Sequence, residues 1–206
     1  RCSGVTNGIG STEVAPTNIR LNAVQAPATT QNISWFAAPD YTARNAVVQY
    51  TTEEAYISGN YSFTTVQGTS TVRSFTDGHQ ASLVNSVTLT GLTPATTYSY
   101  RVGDGVEGHW SDVRTFTTAE SGAATSFFVM GDTQLSGNVA ADAADIEVIH
   151  QIAEAIGNAN TDFGIQTGDF IDNAGSLTAW NEILDVFSDD FPASPIVQVL
   201  GNHEYY

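Results

Sequence analysis

The segment Gly168-Asp169-Phe170-Ile171-Asp172 decides the fold of this 206-residue chain, because two similar segments flank it at regular distances. Gly131-Asp132-Thr133-Gln134 comes before it and Gly201-Asn202-His203-Glu204 comes after it. Each of the three follows an apolar run that is typical of a buried strand, at residues 126–130, 162–166 and 196–200. The carboxyl half of the chain therefore reads as strands that end in polar loops.

The distance between these loops predicts a parallel sheet. Asp132 and Asp169 are 37 positions apart and Asp169 and Asn202 are 33 apart, the length of one strand–helix–strand unit. The intervening residues 141–157 and 177–187 show apolar side chains at helical spacing. Open parallel sheets carry their sites at the carboxyl ends of the strands. Two carboxylates and an amide at one such edge are hard oxygen ligands, which indicates a metal site.

The three segments, in this order, resemble the signature of the calcineurin-like metallophosphoesterase superfamily. The resemblance implies two metal ions, with Fe, Zn or Mn expected. Asp169 would bridge them, while Asp132 would bind the first and Asn202 the second through its amide oxygen. His203 would be catalytic, either stabilising the phosphoryl oxygens or protonating the leaving group. Glu204 is expected to support the ligands rather than to bind metal.

Two positions depart from related patterns. Many superfamily members have His two residues after the first Asp, where this chain has Gln134. Its carbonyl oxygen could bind a metal, or the side chain could support the ligands or face the substrate, and the residues leave these roles open. Purple acid phosphatases carry a Tyr three residues after the bridging Asp, where this chain has Asp172. We therefore expect a site without the purple charge-transfer colour.

The amino-terminal half reads as an all-β region, with seven short strand-like runs separated by turn residues. Such a pattern predicts a two-sheet sandwich. Leu92–Val102 resembles the tyrosine-corner segment of fibronectin type III domains, with Tyr98 at the corner and its hydroxyl bonded to the main chain. The segments Tyr98–Gly105, Trp110-Ser111 and Phe116-Thr117-Thr118 resemble the amino-terminal half of purple-acid-phosphatase-like proteins.

These readings divide the chain into four parts. Residues 1–15 form a tether, 16–118 a fibronectin type III-like domain, 119–125 a linker and 126–206 a partial calcineurin-like metallophosphoesterase domain. The predicted fold class is mixed: an all-β fibronectin III-like sandwich, followed by the first half of an α/β metallophosphoesterase domain.

The resemblance also implies that the site is incomplete in this chain. The family takes three further His ligands from motifs that would lie beyond Tyr206, so the chain looks truncated at its carboxyl end. A missing carboxyl-terminal segment, or another chain, would complete the site. We expect the parent protein to be an acid-phosphatase-like hydrolase of phosphate monoesters that uses a two-metal mechanism. The 206-residue chain alone is expected to be inactive.

The net negative charge of the chain limits the classes of partner that it can bind. The chain carries 22 acids against six Arg and no Lys, and all thirteen acids after Glu120 lack a basic neighbour in sequence, since no Arg or Lys follows Arg114. A nucleic-acid partner is therefore not expected, and no apolar run reaches the ~18 residues of a membrane span.

The family resemblance implies secretion. The alternative is a non-catalytic extracellular binding or assembly module that self-associates through an exposed sheet edge, with the α/β part a remnant.

Overall fold

The structure is a computed structural model that describes residues 15–38 and 45–205. Residues 1–14 of the predicted tether and Tyr206 lie outside the described residues. Within the described part, an antiparallel β-sandwich is followed by a parallel α/β unit, so the predicted mixed fold class is confirmed.

The sandwich is built from eight strands and one short helix. In chain order these are β1 Thr17–Asn22, β2 Thr30–Ala37, β3 Val47–Thr52, α1 Glu53–Ser58, β4 Thr64–Gln67, β5 Thr69–Arg73, β6 Ser82–Thr90, β7 Thr97–Gly103 and β8 Arg114–Thr117. The strands β5-β6-β2-β1 lie side by side, and β4-β3-β7-β8 form the facing sheet. The seven predicted runs overlap strands, whereas β5 and α1 were not predicted.

Alternating apolar side chains fill the space between the two sheets. In β2 and β3, Ile33 and Val48 are wholly buried, and Trp35 is 1% exposed. Tyr98 belongs to the same core, and the Thr93 N–H donates to its hydroxyl oxygen at 2.9 Å. The tyrosine corner predicted from the sequence is therefore present, and it fixes the turn before β7.

The α/β unit contains three parallel strands and two helices. They are β9 Phe127–Met130, α2 Val139–Ala159, β10 Phe163–Gln166, α3 Leu177–Val186 and β11 Ile196–Gln198, with a 3₁₀ turn at His203–Tyr205. Asn138 and Ser176 cap the two helices, each accepting a hydrogen bond from an N–H in the first turn. Both helices bury their apolar sides in one cluster with the sheet, which includes Ile149, Ile183 and Phe187.

One face of the parallel sheet carries no helix among the described residues. Phe127 and Val129 are 53% and 58% exposed there, and Val197 is also exposed. Register places Val129 and Val197 on either side of Ile165, so the apolar side chains form one continuous surface. Parallel sheets are ordinarily buried on both faces, which makes this face unusual for a protein surface.

The two halves share a sheet, which the sequence did not predict. Strand β1 pairs in parallel with β11, so that Asn22 lies opposite Ile196, and the order becomes β5-β6-β2-β1-β11-β10-β9. The Leu21 N–H donates to the Phe191 carbonyl at 2.8 Å. The buried Tyr100 hydroxyl donates to the Pro192 carbonyl at 2.7 Å. Local patterning identified each half, but it contains no signal for a pairing between strands 174 positions apart.

Two acids, Asp142 of α2 and Glu182 of α3, lie close to each other near the loop that carries Gln134. Asp142 accepts hydrogen bonds from the N–H groups of Ser136 and Gly137 at 2.9 and 3.0 Å. Although burial opposes it, hydrogen bonding holds the pKa of Asp142 below its ordinary value. Both carboxylate oxygens of Glu182 are buried. This burial, together with the neighbouring Asp142, raises the pKa of Glu182 to about 7. Other ionisable groups line the cavity that Glu182 borders: Arg114, His150 and Asp185.

Glu182 is expected to make the fold less stable as the pH rises. The unfolded chain releases the Glu182 proton near 4.5, whereas the folded chain keeps it until about 7, so stability falls across that window. The melting temperature, measured by calorimetry at about pH 5 and about pH 8, should fall less in Glu182→Gln than in the wild type. Each kcal/mol corresponds to about 2–4 °C at this chain length. Glu147→Gln, an exposed acid of α2, is the control. Equal falls in wild type and Glu182→Gln would contradict the assignment.

Tyr98→Phe should destabilise the sandwich by about 1 kcal/mol, because the Thr93 N–H loses its acceptor. Urea unfolding followed by tryptophan fluorescence measures the change. Tyr61→Phe removes a hydroxyl from an exposed ring and serves as the control. If both variants unfold at the same urea concentration as the wild type, the corner hydrogen bond contributes nothing to stability.

Candidate active site

The loops after the three parallel strands are bonded to one another. The Asp132 N–H donates to the Gly168 carbonyl at 3.1 Å, and the Gln134 N–H donates to the Asp169 carbonyl at 3.0 Å. From the third loop, the His203 N–H donates to Oδ1 of Asp169 at 3.0 Å. The middle loop is therefore held from both sides, and the polar segments singled out in the sequence meet at one edge of the sheet.

These loops contain an unusual concentration of left-handed backbone. Asp132, Gln134 and Asp169 have φ values of 56°, 43° and 52°, and Gly168 has 114°. Positive φ is uncommon outside glycine, and such residues cluster at functional sites. In this structure the left-handed conformations coincide with Asp132 and Asp169, for which the family resemblance implies metal binding, and with Gln134, whose role the sequence left open.

Glycine at position 168 is required by close packing as well as by backbone conformation. A Cβ built on Gly168 would lie 2.7 Å from the main-chain nitrogen of Gly201. The two glycines that open the second and third loops therefore touch, and this contact brings Asp169 beside the segment that carries Asn202 and His203.

A buried glutamine, Gln166, shapes the middle loop and was missed by sequence reasoning. Its side chain is fully buried at the end of β10. Nε2 donates to the Gly168 carbonyl at 2.8 Å, and Oε1 accepts from the Gly168 N–H at 3.0 Å. The amide thus satisfies both polar groups of the glycine before Asp169. The available signal was a polar residue on the buried face of a strand, directly before a Gly-Asp pair.

Glu204 connects the third loop to the second. Its carboxylate accepts from the Asp169 N–H at 2.9 Å, the Phe170 N–H at 2.8 Å and the Gly201 N–H at 2.7 Å. Main-chain donors occupy both oxygens, so Glu204 supports the loops. This agrees with the supporting role expected from the sequence.

His203 is anchored to the end of the second loop. Its Nδ1 lies 2.8 Å from the main-chain oxygen of Asp172 and 3.2 Å from Oδ1 of the same residue. Because a carbonyl oxygen only accepts, Nδ1 carries the hydrogen in this contact. The hydrogen bond to Asp172, with the negative charge of nearby Asp169 and Glu204, raises the pKa of His203 above its ordinary value, while burial partly opposes the shift.

The predicted metal ligands supply oxygen donors only. Asp132, Gln134 and Asn202 have exposed side chains, and Asp169 is half-buried. Their carboxylate and amide oxygens fit a divalent cation chemically. Across residues 15–38 and 45–205, however, no three or more His, Cys, Asp and Glu side chains are grouped so that they could hold a metal ion. Metal binding by Asp132, Gln134, Asp169 and Asn202 therefore stays a prediction.

Glu204→Ala should destabilise the chain and loosen the site, because three main-chain donors lose their acceptor. Hydrogen bonds to a charged group contribute about 1.5–3 kcal/mol each, so the expected loss is about 3 kcal/mol or more. Denaturant unfolding gives the stability, and hydrogen exchange at the Asp169 and Phe170 amides reports the loosening. Glu204→Gln keeps one acceptor oxygen and should lose less. Unchanged exchange at both amides in Glu204→Ala would refute this role.

One known family is similar to the amino-terminal half of the chain. The family model described as the purple acid phosphatase N-terminal domain matches residues 16–118. A search of the curated proteins finds no match.

Two solved structures are similar across both halves of the chain. A purple acid phosphatase isolated from yellow lupin (Lupinus luteus) seeds aligns with a TM-score of 0.68 and 15% identity, covering 92% of this chain and 36% of that one. A structure of PhoD aligns with a TM-score of 0.52 and 14% identity, covering 94% of this chain and 40% of that one. At such identities the likeness concerns the fold, and the chain spans less than half of either protein. None of the helices in the described residues is long and apolar enough to cross a membrane.

Proposed function

The chain belongs to the purple acid phosphatase N-terminal domain family, and on that premise we propose that it is part of a metal-dependent phosphoesterase acting on phosphate monoesters. The observation that carries the proposal is the meeting of three strand-end loops. Asp132, Asp169 and the Asn202-His203 pair come from different loops, and main-chain hydrogen bonds and Glu204 hold those loops together.

In this proposal the loops hold divalent metal ions. Asp132, Asp169 and the amide oxygen of Asn202 would bind them, with Gln134 as a further oxygen donor or a contact to the substrate. When bound, a metal pair supplies charge stabilisation for the transferred phosphoryl group and lowers the pKa of bound water. The fold similarity to the lupin purple acid phosphatase supports such a site in the complete protein.

His203 would work at the substrate side of this edge. The contact with Asp172 fixes the orientation of the imidazole, which would bind phosphoryl oxygens or give a proton to the leaving group. Asp172 is thereby engaged with His203, and we propose an enzyme without the purple colour, since no Tyr stands at that position.

The test compares variants of the protein at its full natural length. With p-nitrophenyl phosphate and Mn²⁺, Zn²⁺ or Fe, we expect hydrolysis that falls at least ~100-fold in Asp169→Ala and in His203→Ala. Asp112→Ala, an exposed acid of the sandwich, is the matched control. Hydrolysis that survives both site variants, or that is absent with every metal, would overturn the proposal.

A second function, the assembly module, is favoured by one observation. The apolar face of the parallel sheet, with Phe127 and Val129 more than half exposed, is suited to burial against another protein surface. We propose this role only as the alternative. Sedimentation of wild type against Val129→Lys distinguishes it, because a self-associating module should become monomeric in the variant. An unchanged distribution of species would count against it.

A further inference from the structure

We propose that Asp77 of the sandwich is a positioning residue for His203. It lies in the sandwich loop, residues 74–81 between β5 and β6, and acts on the segment that follows the middle site loop. This inference rests on the proposed function for the catalytic role of His203, but the effect of Asp77 on the position of His203 can be tested without measuring activity.

Asp77 holds the start of α3 from the opposite half of the molecule. Its Oδ2 accepts from the Thr178 N–H at 3.0 Å, the Thr178 hydroxyl at 3.2 Å and the Ser176 hydroxyl at 3.1 Å. Although burial opposes it, these hydrogen bonds and the nearby His79 hold the pKa of Asp77 below its ordinary value. The carboxylate is therefore charged near neutral pH, and it accepts three hydrogen bonds at the start of α3.

Two other residues of the sandwich, Thr76 and Arg73, contact the same segment at positions nearer in sequence to the middle site loop. The Thr76 N–H donates to the Gly175 carbonyl at 2.8 Å, and Arg73 Nη2 donates to the Ala174 carbonyl at 3.4 Å. His79 Nε2 lies 2.9 Å from the Thr178 hydroxyl. A Cβ on Gly175 would collide with the Thr76 side chain, so the loop and the segment fit closely only because residue 175 is glycine.

The far end of this segment contacts His203. The Ala174 N–H donates to the His203 carbonyl at 3.3 Å. Two residues earlier, the Asp172 carbonyl accepts from His203 Nδ1. The main chain at 172–174 thus sets both the backbone and the ring of His203, while the sandwich loop fixes residues 174–178. Asp77 acts on His203 through this short, continuous stretch of chain.

Charge and geometry single out Asp77 from the other loop contacts. It supplies three of the hydrogen bonds, all to one carboxylate oxygen, and bonds to an ionised acceptor are the strongest kind available here. Thr76 and Arg73, by contrast, each contribute one hydrogen bond, and each bond goes to a neutral main-chain carbonyl of the segment. Loss of Asp77 should therefore release the start of α3 first and the Ala174–His203 contact next.

The experiment uses the metal-free 206-residue chain, so it does not depend on phosphatase activity. Amide hydrogen exchange at Ala174 should become about tenfold faster in Asp77→Ala, while exchange at Gly164 stays unchanged. The Gly164 amide donates to the Pro195 carbonyl at the opposite end of β10 and reports overall stability. The ring ¹H–¹³C signal of His203, assigned by its loss in His203→Ala, should also shift in Asp77→Ala.

Two further variants complete the test. Asp77→Asn keeps a neutral side-chain oxygen that can accept from Thr178, so its exchange rate and ring signal should lie between those of wild type and Asp77→Ala. It also covers the case in which the alanine variant folds poorly. Asp112→Asn is the matched control for loss of one exposed acid in the sandwich. Equal acceleration at Ala174 and Gly164, or an unmoved His203 signal in Asp77→Ala, would overturn the proposal. Phosphatase activity in the full-length protein with no dependence on Asp77 would limit its role to stability, whereas no activity at all would count against the proposed function alone.

Discussion

The pairing of β1 with β11 is the constraint on which the rest of the structure depends. A sandwich and a parallel α/β unit could have been connected only by the linker at 119–125, yet here they share one seven-stranded sheet. The Leu21 N–H bond to Phe191 and the buried Tyr100 hydroxyl bond to Pro192 reinforce the junction. Because a buried hydrogen bond is costly to break without replacement, the two halves cannot move apart freely.

This junction explains how the sandwich can influence the position of the candidate site loops. The sheet fixes the carboxyl ends of β9, β10 and β11 relative to the sandwich, and the sandwich loop then reaches the start of α3. The site loops add their own short-range connections, of which the Glu204 carboxylate is the strongest, since it joins the amides of Gly201 and Asp169. Long-range pairing places the loops, and local hydrogen bonds set their shape.

Much of the fold and part of the candidate site could be predicted from the sequence, whereas contacts between distant segments could not. Helices α2 and α3 and the strands before Asp132, Asp169 and Asn202 follow from apolar periodicity and spacing, and the tyrosine corner follows from a local motif. The roles of Gln166 and Asp77 depend on which distant main-chain groups their side chains meet. The predicted metal ligands, the domain boundaries and secretion stay predictions, whereas membership of the family is established.

The shared sheet has a consequence for the synthesis of the protein. The partner of Asn22 is Ile196, 174 positions later. At ribosomal rates of about 5–20 residues per second, the free edge of β1 waits roughly 9–35 s for its neighbour. After β8 has been made, and until β11 follows it, the sandwich presents an open strand edge, the kind of surface to which other nascent chains can attach. Pairing with β11 therefore also covers an edge to which other chains could attach.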